Sequence, residues 1–268
     1  MSFDLHGRVI VITGAAGLLG SQYTRALCAE GAVVVAADID RDAAERLVAG
    51  IDGGQAVALE VDITRPEHVR AMVKEVVRRF DRIDGLVNNA ALDPKFDEQH
   101  EGEHTVGFEN LPIGQWEAAL GVNLTGAFLC AQAVAPVMLR QESGSIVNIS
   151  SIYGMVGPDQ RLYAAAESSE PTRTKPVTYT VTKAGIIGLT KYLAAYWRGK
   201  GIRVNTLTLG GVYNGHDEEF VRRYSARTLL GRMAQPDEYC GALVFLLSEA
   251  SSYMTGANLV IDGGWTAW

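Results

Sequence analysis

The chain contains few cysteines. Its 268 residues include only Cys28, Cys130 and Cys240. They are odd in number, widely spaced and set in apolar or helical surroundings, so neither a disulfide framework nor a zinc knuckle is expected. We expect three buried free thiols instead.

The chain also lacks an excess of basic residues. Its net charge is -7 and its pI is near 5.3, whereas nucleic acids and anionic membranes favour a basic protein surface. It lacks a charged leader followed by an apolar core, and no uninterrupted apolar run reaches the roughly 18 residues of a membrane span. The sequence therefore predicts a cytoplasmic protein with a small-molecule substrate, and neither a nucleic acid nor a membrane as partner.

Short apolar runs rich in Val, Ile and Ala alternate with longer amphipathic runs. "RVIVIT" precedes "LGSQYTRALCAEG", and "AVVVAAD" precedes "RDAAERLVAG". Strands buried on both faces have this composition in parallel sheets covered by helices. No linker or internal repeat divides residues 1–268. We predict one α/β domain: a doubly wound parallel sheet of about seven strands flanked by helices.

Two polar segments interrupt this alternation, at about residues 92–112 and 154–176. Loops of this length within a domain are usually functional or disordered. Both follow strands directly, so both should emerge at the carboxyl edge of the sheet, where ligands bind. In the second, Arg161, Arg173 or Lys175 could contact an anionic or heavily hydroxylated substrate, or could simply keep the loop soluble.

The first segment contains a zinc-protease pattern, His-Glu-x-x-His. His100, Glu101 and His104 form it, with Gly102 inside it and acidic residues around it. Such a site needs an amphipathic helix that presents both imidazoles on one face. This composition favours a solvated lid, and we expect no metal.

A glycine-rich turn follows the first predicted strand. Gly14, Gly17 and Gly20 let the backbone approach a pyrophosphate, and the helix that follows offers free N–H groups to it. Asp38 ends the next strand, 18 residues after Gly20, a distance suited to binding both ribose hydroxyls of adenosine. Helix capping is its alternative role, and Asp62 could equally cap a helix or hold the adenine.

Two tyrosines have an ionisable residue four positions further on. Tyr179 precedes Lys183, whose ammonium would stabilise a phenolate and lower the tyrosine pKa from about 10. Tyr163 precedes Glu167, whose charge would oppose ionisation. Tyr179 is therefore the candidate acid/base residue.

Taken in order, several motifs resemble the short-chain dehydrogenase/reductase family over nearly the whole chain. They are "TGAAGLLG", "VDIT", "NNAA", "VNLTGAF", "IVNISS", "YTVTK", "IRVNTLTLGGV" and "SSYMTGANLVIDGG". The resemblance implies a Rossmann-type fold and a catalytic tetrad of Asn123, Ser151, Tyr179 and Lys183. In the family's mechanism the tyrosine exchanges a proton with the substrate oxygen and the serine hydrogen-bonds it. The lysine holds the nicotinamide ribose, and the asparagine orders a water.

The same resemblance implies the cofactor contacts. They are expected at Gly14, Gly17, Leu18, Leu19, Gly20, Asp38, Ile39, Asp62, Ile63, Asn89, Ala90, Val122, Tyr179, Lys183, Gly210, Val212 and Asn214. NAD is expected rather than NADP, because Asp38 would repel a 2′-phosphate and residues 14–20 contain no Lys or Arg. Arg41 is the nearest cation.

The chain also departs from the family pattern. Leu18 stands at the central glycine position of the turn, Ala91 replaces the last glycine of the Asn-Asn-Ala-Gly motif, and Leu209 stands where the family has proline. Ser151 and Tyr179 are 28 residues apart, more than is usual. The second polar segment is therefore an insertion beside the predicted site.

We expect an NAD(H)-dependent enzyme that interconverts a secondary alcohol and a ketone on a polar, sugar-like substrate. "GPDQRLY", "KPVTY" and "GGVYN" resemble a bacterial sugar-related subgroup. The main alternative is a 3-oxoacyl carrier-protein reductase, against which the acidic surface argues, since an acidic carrier prefers a basic dock. The glycine spacing also fits the epimerase-like branch, although the chain lacks its C-terminal lobe. A silent nucleotide sensor is a third alternative.

A homo-oligomer, either a tetramer or a dimer, is expected from the family resemblance. The predicted helices near 114–141 and 177–199 would form its contacts. Trp265 and Trp268 are expected at an interface as well, because interfaces favour tryptophan.

Overall fold

The computed structural model describes residues 3–51, 56–93, 107–163 and 173–268. Its strands are β1 Val9–Thr13, β2 Val33–Asp38, β3 Ala56–Glu60, β4 Gly85–Asn88, β5 Gly144–Ser151, β6 Ile202–Leu209 and β7 Asn258–Ile261. Its α-helices are α1 Leu18–Ala29, α2 Arg41–Ala49, α3 Pro66–Phe80, α4 Ile113–Gln141, α5 Val177–Tyr196, α6 Glu218–Ser225 and α7 Cys240–Leu247.

All seven strands pair in parallel in one sheet, in the order β3-β2-β1-β4-β5-β6-β7. Parallel neighbours need crossover connections, which the helices supply. The order reverses between β1 and β4, and this reversal opens a crevice at the carboxyl ends of the strands. The predicted doubly wound fold is confirmed.

Alternate residues of β1 show how the sheet separates two cores. Ile10 and Ile12 belong to an apolar cluster that includes residues of α1 and α7. Val9 and Val11 belong to a second cluster, with residues of α3, α4 and α5. Side chains of a strand alternate between the two faces, so a strand covered on both faces is apolar throughout.

A third cluster lies apart from these two, around the segments that follow β5 and β6. Its buried members are Ile152, Tyr153, Leu162, Tyr163, Tyr224, Met233 and Trp265. The rings of Tyr224 and Trp265 have centroids 4.3 Å apart. The expectation that Trp265 lies at a subunit interface is therefore wrong, because its own chain buries it; Trp268 is exposed.

Helix α4 contains a π-helical turn at Gly121–Gly126. The turn lies between the α-helical stretches Ile113–Leu120 and Ala127–Gln141. By length and composition α4 could cross a membrane, but half of its most apolar window is buried inside the fold. Core helices of water-soluble proteins meet the same two criteria.

The cysteines are all free, as expected. Cys28 and Cys130 are buried and Cys240 is half-buried. Burial raises the pKa of Cys28 and Cys240 to about 11 and that of Cys130 to about 12. The His100–Glu101–His104 pattern lies outside the described residues. Within the described ranges no group of three His, Cys, Asp or Glu side chains could hold a metal.

Candidate active site

Three elements bring the predicted tetrad together at the carboxyl edge of the sheet. Ser151 ends β5, Tyr179 and Lys183 lie one turn apart near the start of α5, and Asn123 lies in the π turn of α4. The Ser151 side chain lies close enough to Tyr179 to lower its pKa. The Lys183 ammonium nitrogen lies 5.6 Å from the centroid of the Tyr179 ring.

Helix α5 is fixed to β5 next to these side chains. Lys183 is buried, its Nζ donates to the Ile149 carbonyl at 3.2 Å, and its own carbonyl accepts from Ser150 Oγ at 2.8 Å. A Cβ on Gly154 would lie 2.6 Å from the Lys183 carbonyl carbon and oxygen. The chain leaving β5 therefore passes directly against α5, and only glycine fits there.

Asn123 holds the segment that follows β4. Its Oδ1 accepts from the Leu92 N–H at 2.6 Å, and its Nδ2 donates to the Leu92 carbonyl at 3.0 Å. Nδ2 also lies 3.3 Å from the Thr182 hydroxyl, one residue before Lys183. Single π turns occur frequently at functional sites, and this one places the Asn123 amide between β4 and α5.

The pKa of Tyr179 departs from the sequence-based expectation. Burial raises it well above 10, the nearby charge of Asp93 raises it further, and the neighbouring Ser151 side chain lowers it by less. Burial lowers the pKa of Lys183 to about 8. The expectation that the Tyr179 pKa is lowered is therefore wrong for the chain without ligands. Burial destabilises the phenolate by more than the neighbouring groups stabilise it.

Tyr163 lies near the site but takes a structural position. It is buried in the third cluster and its hydroxyl donates to the Tyr153 hydroxyl at 3.1 Å. Its ring centroid is 5.6 Å from that of Phe220. Burial raises its pKa well above 10. Glu167, which we expected to oppose its ionisation, lies outside the described residues.

Two charged residues that the tetrad prediction did not include lie beside Tyr179. Lys175 Nζ is 4.1 Å from the Tyr179 ring centroid and forms an ion pair with Asp93. Lys175 was one of three cations considered for substrate contact, but Asp93 was missed. The only sequence signal for Asp93 is an acid two residues after "NNAA". Arg161 is largely exposed and forms an ion pair with Asp159.

The glycine turn has the geometry that a pyrophosphate site needs. Gly14 has φ +63°, and a Cβ there would lie 2.7 Å from Ala90 Cα. A Cβ on Gly20 would lie 2.1 Å from the Gly14 carbonyl oxygen. Gly17 is the N-cap of α1, and no side chain caps the helix. The first N–H groups of the helix, including those of Leu18 and Leu19, therefore remain available to a phosphate. These features fit a bound dinucleotide phosphate.

Asn89 and Thr13 fix this turn to the sheet. Asn89 Nδ2 donates to the carbonyls of Thr13 and Gly14 at 3.1 and 2.9 Å. The N–H groups of Asn89 and Ala90 donate to Thr13 Oγ1. These bonds join the segment after β4 to the glycine turn.

Asp38 lies at the end of β2, facing the turn. Its Oδ2 accepts from the Ala16 N–H at 2.8 Å and its Oδ1 accepts from the Asp40 N–H at 3.1 Å. Asp40, not Asp38, caps α2 by accepting from the Ala43 N–H. The capping alternative for Asp38 is therefore wrong. Two main-chain N–H groups fix the Asp38 carboxylate next to the glycine turn, and the following residue, Ile39, is exposed.

The predicted adenine-side residues occupy mixed positions. Asp62 Oδ1 accepts from the Thr64 N–H and hydroxyl at 2.9 and 2.6 Å, and these bonds lower its pKa. It holds a turn before α3, whose N-cap is Arg65. Ile63 is buried and packs against Gly126, so only its main chain remains for a ligand.

The remaining predicted contacts lie on the other side of the crevice. Val122 precedes Asn123 in the π turn. Gly210 follows β6, and its carbonyl accepts from the Tyr239 hydroxyl at 3.1 Å. Val212 pairs with Ala234 in an isolated bridge, and the exposed Asn214 donates its N–H to His216 Nδ1.

Comparison with known proteins identifies the family. A family model described as enoyl-(acyl carrier protein) reductase matches residues 14–266. A short chain dehydrogenase from Leptospira borgpetersenii with bound NAD+ superposes with a TM-score of 0.84 at 30% identity, covering 98% of this chain and 94% of that one. The chain belongs to the short-chain dehydrogenase/reductase family.

The chain has relatives whose names give different substrates. A D-threitol dehydrogenase of Mycolicibacterium smegmatis is 36% identical over 98% of this chain and 95% of its own. A 3-oxoacyl-[acyl-carrier-protein] reductase of Thermotoga maritima is 35% identical over 97% and 98%. A gluconate 5-dehydrogenase from Burkholderia cenocepacia, in complex with NADP and tartrate, superposes with a TM-score of 0.83 at 32% identity over 99% and 98%. The family thus establishes an oxidoreductase, with substrate and cofactor preference differing among relatives.

Proposed function

We propose that the protein is an NAD(H)-dependent dehydrogenase that interconverts a secondary alcohol and a ketone on a polar, sugar-like substrate. The observation that carries this proposal is the position of Ser151 and Lys183 beside the Tyr179 phenol, with Lys183 Nζ 5.6 Å from the ring centroid. Oxidation of a carbinol removes a proton and a hydride. The proton transfer needs an acid/base residue, a second hydrogen-bond donor to the same oxygen and a nearby cation, and these three side chains supply them.

Each tetrad side chain has one role in the proposal. Tyr179 takes the carbinol proton in oxidation and returns it in reduction, while Ser151 hydrogen-bonds the same oxygen. Lys183 stabilises the phenolate form and binds the nicotinamide ribose. Asn123 positions the segment after β4 and orders a water near Lys183. A bound nicotinamide supplies the hydride transfer.

The nucleotide contacts are proposed from the geometry of the turn. Gly14, Gly17 and Gly20 admit the pyrophosphate to the N-terminus of α1. Asp38 binds the two ribose hydroxyls of adenosine, and Asp62 binds the adenine. The other predicted contacts keep their assignments, with Ile63 contributing only its main chain.

NAD is the proposed cofactor because of the charges around Asp38. Its carboxylate would lie close to a 2′-phosphate, and like charges at close range repel. Arg41, the nearest cation, forms an ion pair with Glu45 at 2.8 Å and is largely exposed. It therefore lies at the start of α2, where its charge is already matched.

Replacing Asp38 by serine tests this cofactor assignment. We expect the unmodified enzyme to prefer NAD over NADP by about a hundredfold or more in kcat/KM, since charge-assisted hydrogen bonds contribute roughly 1.5–3 kcal/mol. Asp38→Ser should collapse that ratio, mainly by weakening NAD. Asp42→Ser removes a neighbouring acid in the first turn of α2 and should leave the ratio unchanged. Equal use of both cofactors by the unmodified enzyme would contradict the assignment.

A polyol-type substrate is favoured over a carrier-bound acyl group. The net charge of -7 gives the protein an acidic surface, which an acidic carrier would avoid. The Thermotoga relative supports the 3-oxoacyl alternative, and the threitol relative supports the polyol. NADH absorbance measured with polyols, simple secondary alcohols and a 3-oxoacyl thioester decides between them. Turnover of the thioester alone would overturn the proposal.

Assembly and location complete the proposal. We propose a homotetramer with contacts through α4 and α5, both of which present exposed apolar side chains. We also propose the cytoplasm, because three free thiols and no disulfide suit a reducing compartment.

A further inference from the structure

The Asp93–Lys175 ion pair joins the two polar segments beside the candidate acid/base residue. Asp93 lies in the first segment, at about residues 92–112, and Lys175 in the second, at about 154–176; they are 82 residues apart in sequence. Lys175 Nζ lies closer to the Tyr179 ring centroid, at 4.1 Å, than Lys183 Nζ does, at 5.6 Å. No tetrad role requires this second cation.

Main-chain hydrogen bonds hold Lys175 and the residue before Asp93 in place. The Lys175 N–H donates to Gln160 Oε1 at 2.8 Å, and Gln160 Nε2 donates back to the Lys175 carbonyl at 3.1 Å. Asp93 follows Leu92, whose N–H and carbonyl both bond to the Asn123 amide. The pair is therefore preorganised, which reduces the entropic cost of binding a ligand.

The two side chains differ in their exposure. Lys175 has 9% of its side-chain surface exposed, whereas Asp93 has 39%. A buried ammonium needs an opposite charge close by, and Asp93 provides it. Asp93 Oδ1 accepts from Lys175, and within the described part of the chain Oδ2 accepts no hydrogen bond. One carboxylate oxygen is thus open to a donor.

This charge balance argues against an anionic substrate group at this point. A carboxylate or phosphate approaching Lys175 would also approach the Asp93 carboxylate and be repelled. A neutral hydroxyl has no such conflict, because it can donate to a carboxylate and accept from an ammonium at once. Charge-assisted hydrogen bonds of this kind are stronger than those between neutral groups.

We propose that Asp93 and Lys175 recognise a hydroxyl on the carbon next to the reacting carbinol, so that the enzyme selects neutral vicinal diols. The reacting oxygen lies at Tyr179 and Ser151, and the neighbouring hydroxyl donates to Asp93 Oδ2 while accepting from Lys175. The inference rests on the proposed alcohol dehydrogenase function and specifies its substrate class. Asp93 and Lys175 determine specificity, whereas Tyr179 performs the proton transfer.

Matched substrates test the inference. The probes are 2,3-butanediol, 2-butanol and 3-hydroxybutyrate, which share a four-carbon chain and differ in a neighbouring hydroxyl or a carboxylate. For the unmodified enzyme we expect kcat/KM for the diol to exceed that for each of the other two by at least about tenfold, as one charge-assisted hydrogen bond allows. NADH formation is the readout.

Variants then assign the preference to the pair. Asp93→Asn keeps the shape of the side chain and removes its charge, so the diol should lose about tenfold more in kcat/KM than 2-butanol loses. Lys175→Gln should reduce the same ratio. Arg161→Gln is the matched control, because it removes a cation of the same polar segment that also pairs with an acid but is largely exposed. It should leave the diol-to-butanol ratio unchanged.

The outcomes separate this inference from the function on which it rests. Oxidation of all three probes without a preference for the diol would overturn the inference and leave the alcohol dehydrogenase function standing. A preference for 3-hydroxybutyrate would overturn it too, since Lys175 would then bind an anion. No turnover of these probes or of the wider alcohol panel would overturn the function, and the inference with it. If a variant misfolds, as NADH binding by fluorescence would show, the unmodified enzyme's ratio still decides.

Discussion

Two tyrosines in the second half of the chain differ in what surrounds each hydroxyl. Tyr179 lies beside Ser151, which lowers its pKa, and beside two lysines, Lys175 and Lys183. The hydroxyl of Tyr163 bonds to that of another tyrosine, Tyr153, within an aromatic cluster. Burial raises both pKa values, so position and partners, rather than intrinsic acidity, distinguish them.

Single hydroxyl deletions test this distinction. Tyr179→Phe should abolish hydride transfer while leaving NADH binding nearly intact, because it removes only the proton carrier. Tyr163→Phe should retain kcat within about tenfold, since a neutral hydrogen bond contributes roughly 0.5–1.5 kcal/mol. Parallel kcat measurements decide. An inactive Tyr163 variant beside an active Tyr179 variant would reverse the assignment.

The raised Tyr179 pKa sets the pH dependence of the two reaction directions. A tyrosine whose pKa lies above its usual value keeps its proton at neutral pH, as ketone reduction requires, and loses it only in alkali, as alcohol oxidation requires. Burial raises this pKa most, Asp93, Tyr153 and Tyr224 raise it further, and the Ser151 side chain lowers it. Lys175 and Lys183 lie within 6 Å of the ring.

We therefore expect kcat/KM for oxidation to rise with pH throughout the alkaline range. Reduction should stay nearly constant up to about pH 7 and fall as the pH passes 8, where about half of Lys183 has lost its charge. Initial rates in both directions from pH 6 to about 10 test this. Cofactor affinity measured at each pH is the control. Oxidation that stays level from pH 6 upward would show that Tyr179 ionises far more easily than its burial allows.

At the scale of elements, two helical glycines differ in the space around them. Gly20 in α1 lies where a Cβ would be 2.1 Å from the Gly14 carbonyl oxygen. Gly241 in α7 is exposed and has nothing within 4 Å of an added Cβ. Alanine has the higher helix propensity at both positions, but only the second position has room for it.

Alanine substitutions should therefore act in opposite directions. Gly20→Ala should lower the free energy of unfolding by about 1–3 kcal/mol, as overpacking against backbone does, and should weaken NADH binding by displacing the turn. Gly241→Ala should raise stability by up to about 1 kcal/mol. Thermal unfolding and NADH fluorescence measure both effects. Equal stability of the two variants would contradict the close packing at Gly20.

At the scale of the whole molecule, α4 and α5 expose apolar side chains outside the core. On α4 these include Phe128 and Leu139, and on α5 Tyr192 and Tyr196, whose rings stack at 5.8 Å. An apolar helix face with large aromatic residues is typical of a protein interface. The partly buried, apolar character of α4 is explained if a second subunit covers its outer face.

A charge placed on this face should dissociate the proposed tetramer. Tyr192→Glu should reduce the mass in solution to that of a dimer or monomer, because an unpaired carboxylate would be buried in the interface. Phe3→Glu, at another exposed aromatic residue, is the control and should leave the mass unchanged. Light scattering with size-exclusion chromatography measures it. A tetramer that persists in the Tyr192 variant would place the interface elsewhere.

The sequence alone determined the fold class and the grouping of the candidate site. Short apolar runs of strand length alternate with longer amphipathic runs of helix length, and this alternation indicates a parallel sheet covered by helices. The hydrophobic pattern of each run can be recognised from neighbouring residues alone. The glycine turn, Asp38 and the four-residue spacing of Tyr179 and Lys183 are local patterns too. The turn and Asp38 lie together at the carboxyl edge, and so do the predicted tetrad residues.

Only the tertiary structure decided what surrounds these side chains. Asp93 and Lys175 are 82 residues apart in sequence and meet beside Tyr179, and no local period encodes that meeting. The raised Tyr179 pKa, the burial of Trp265 and the π turn around Asn123 depend equally on the packed chain. Desolvation and long-range charge pairing exist only once distant segments are in contact, so a local sequence pattern cannot supply them.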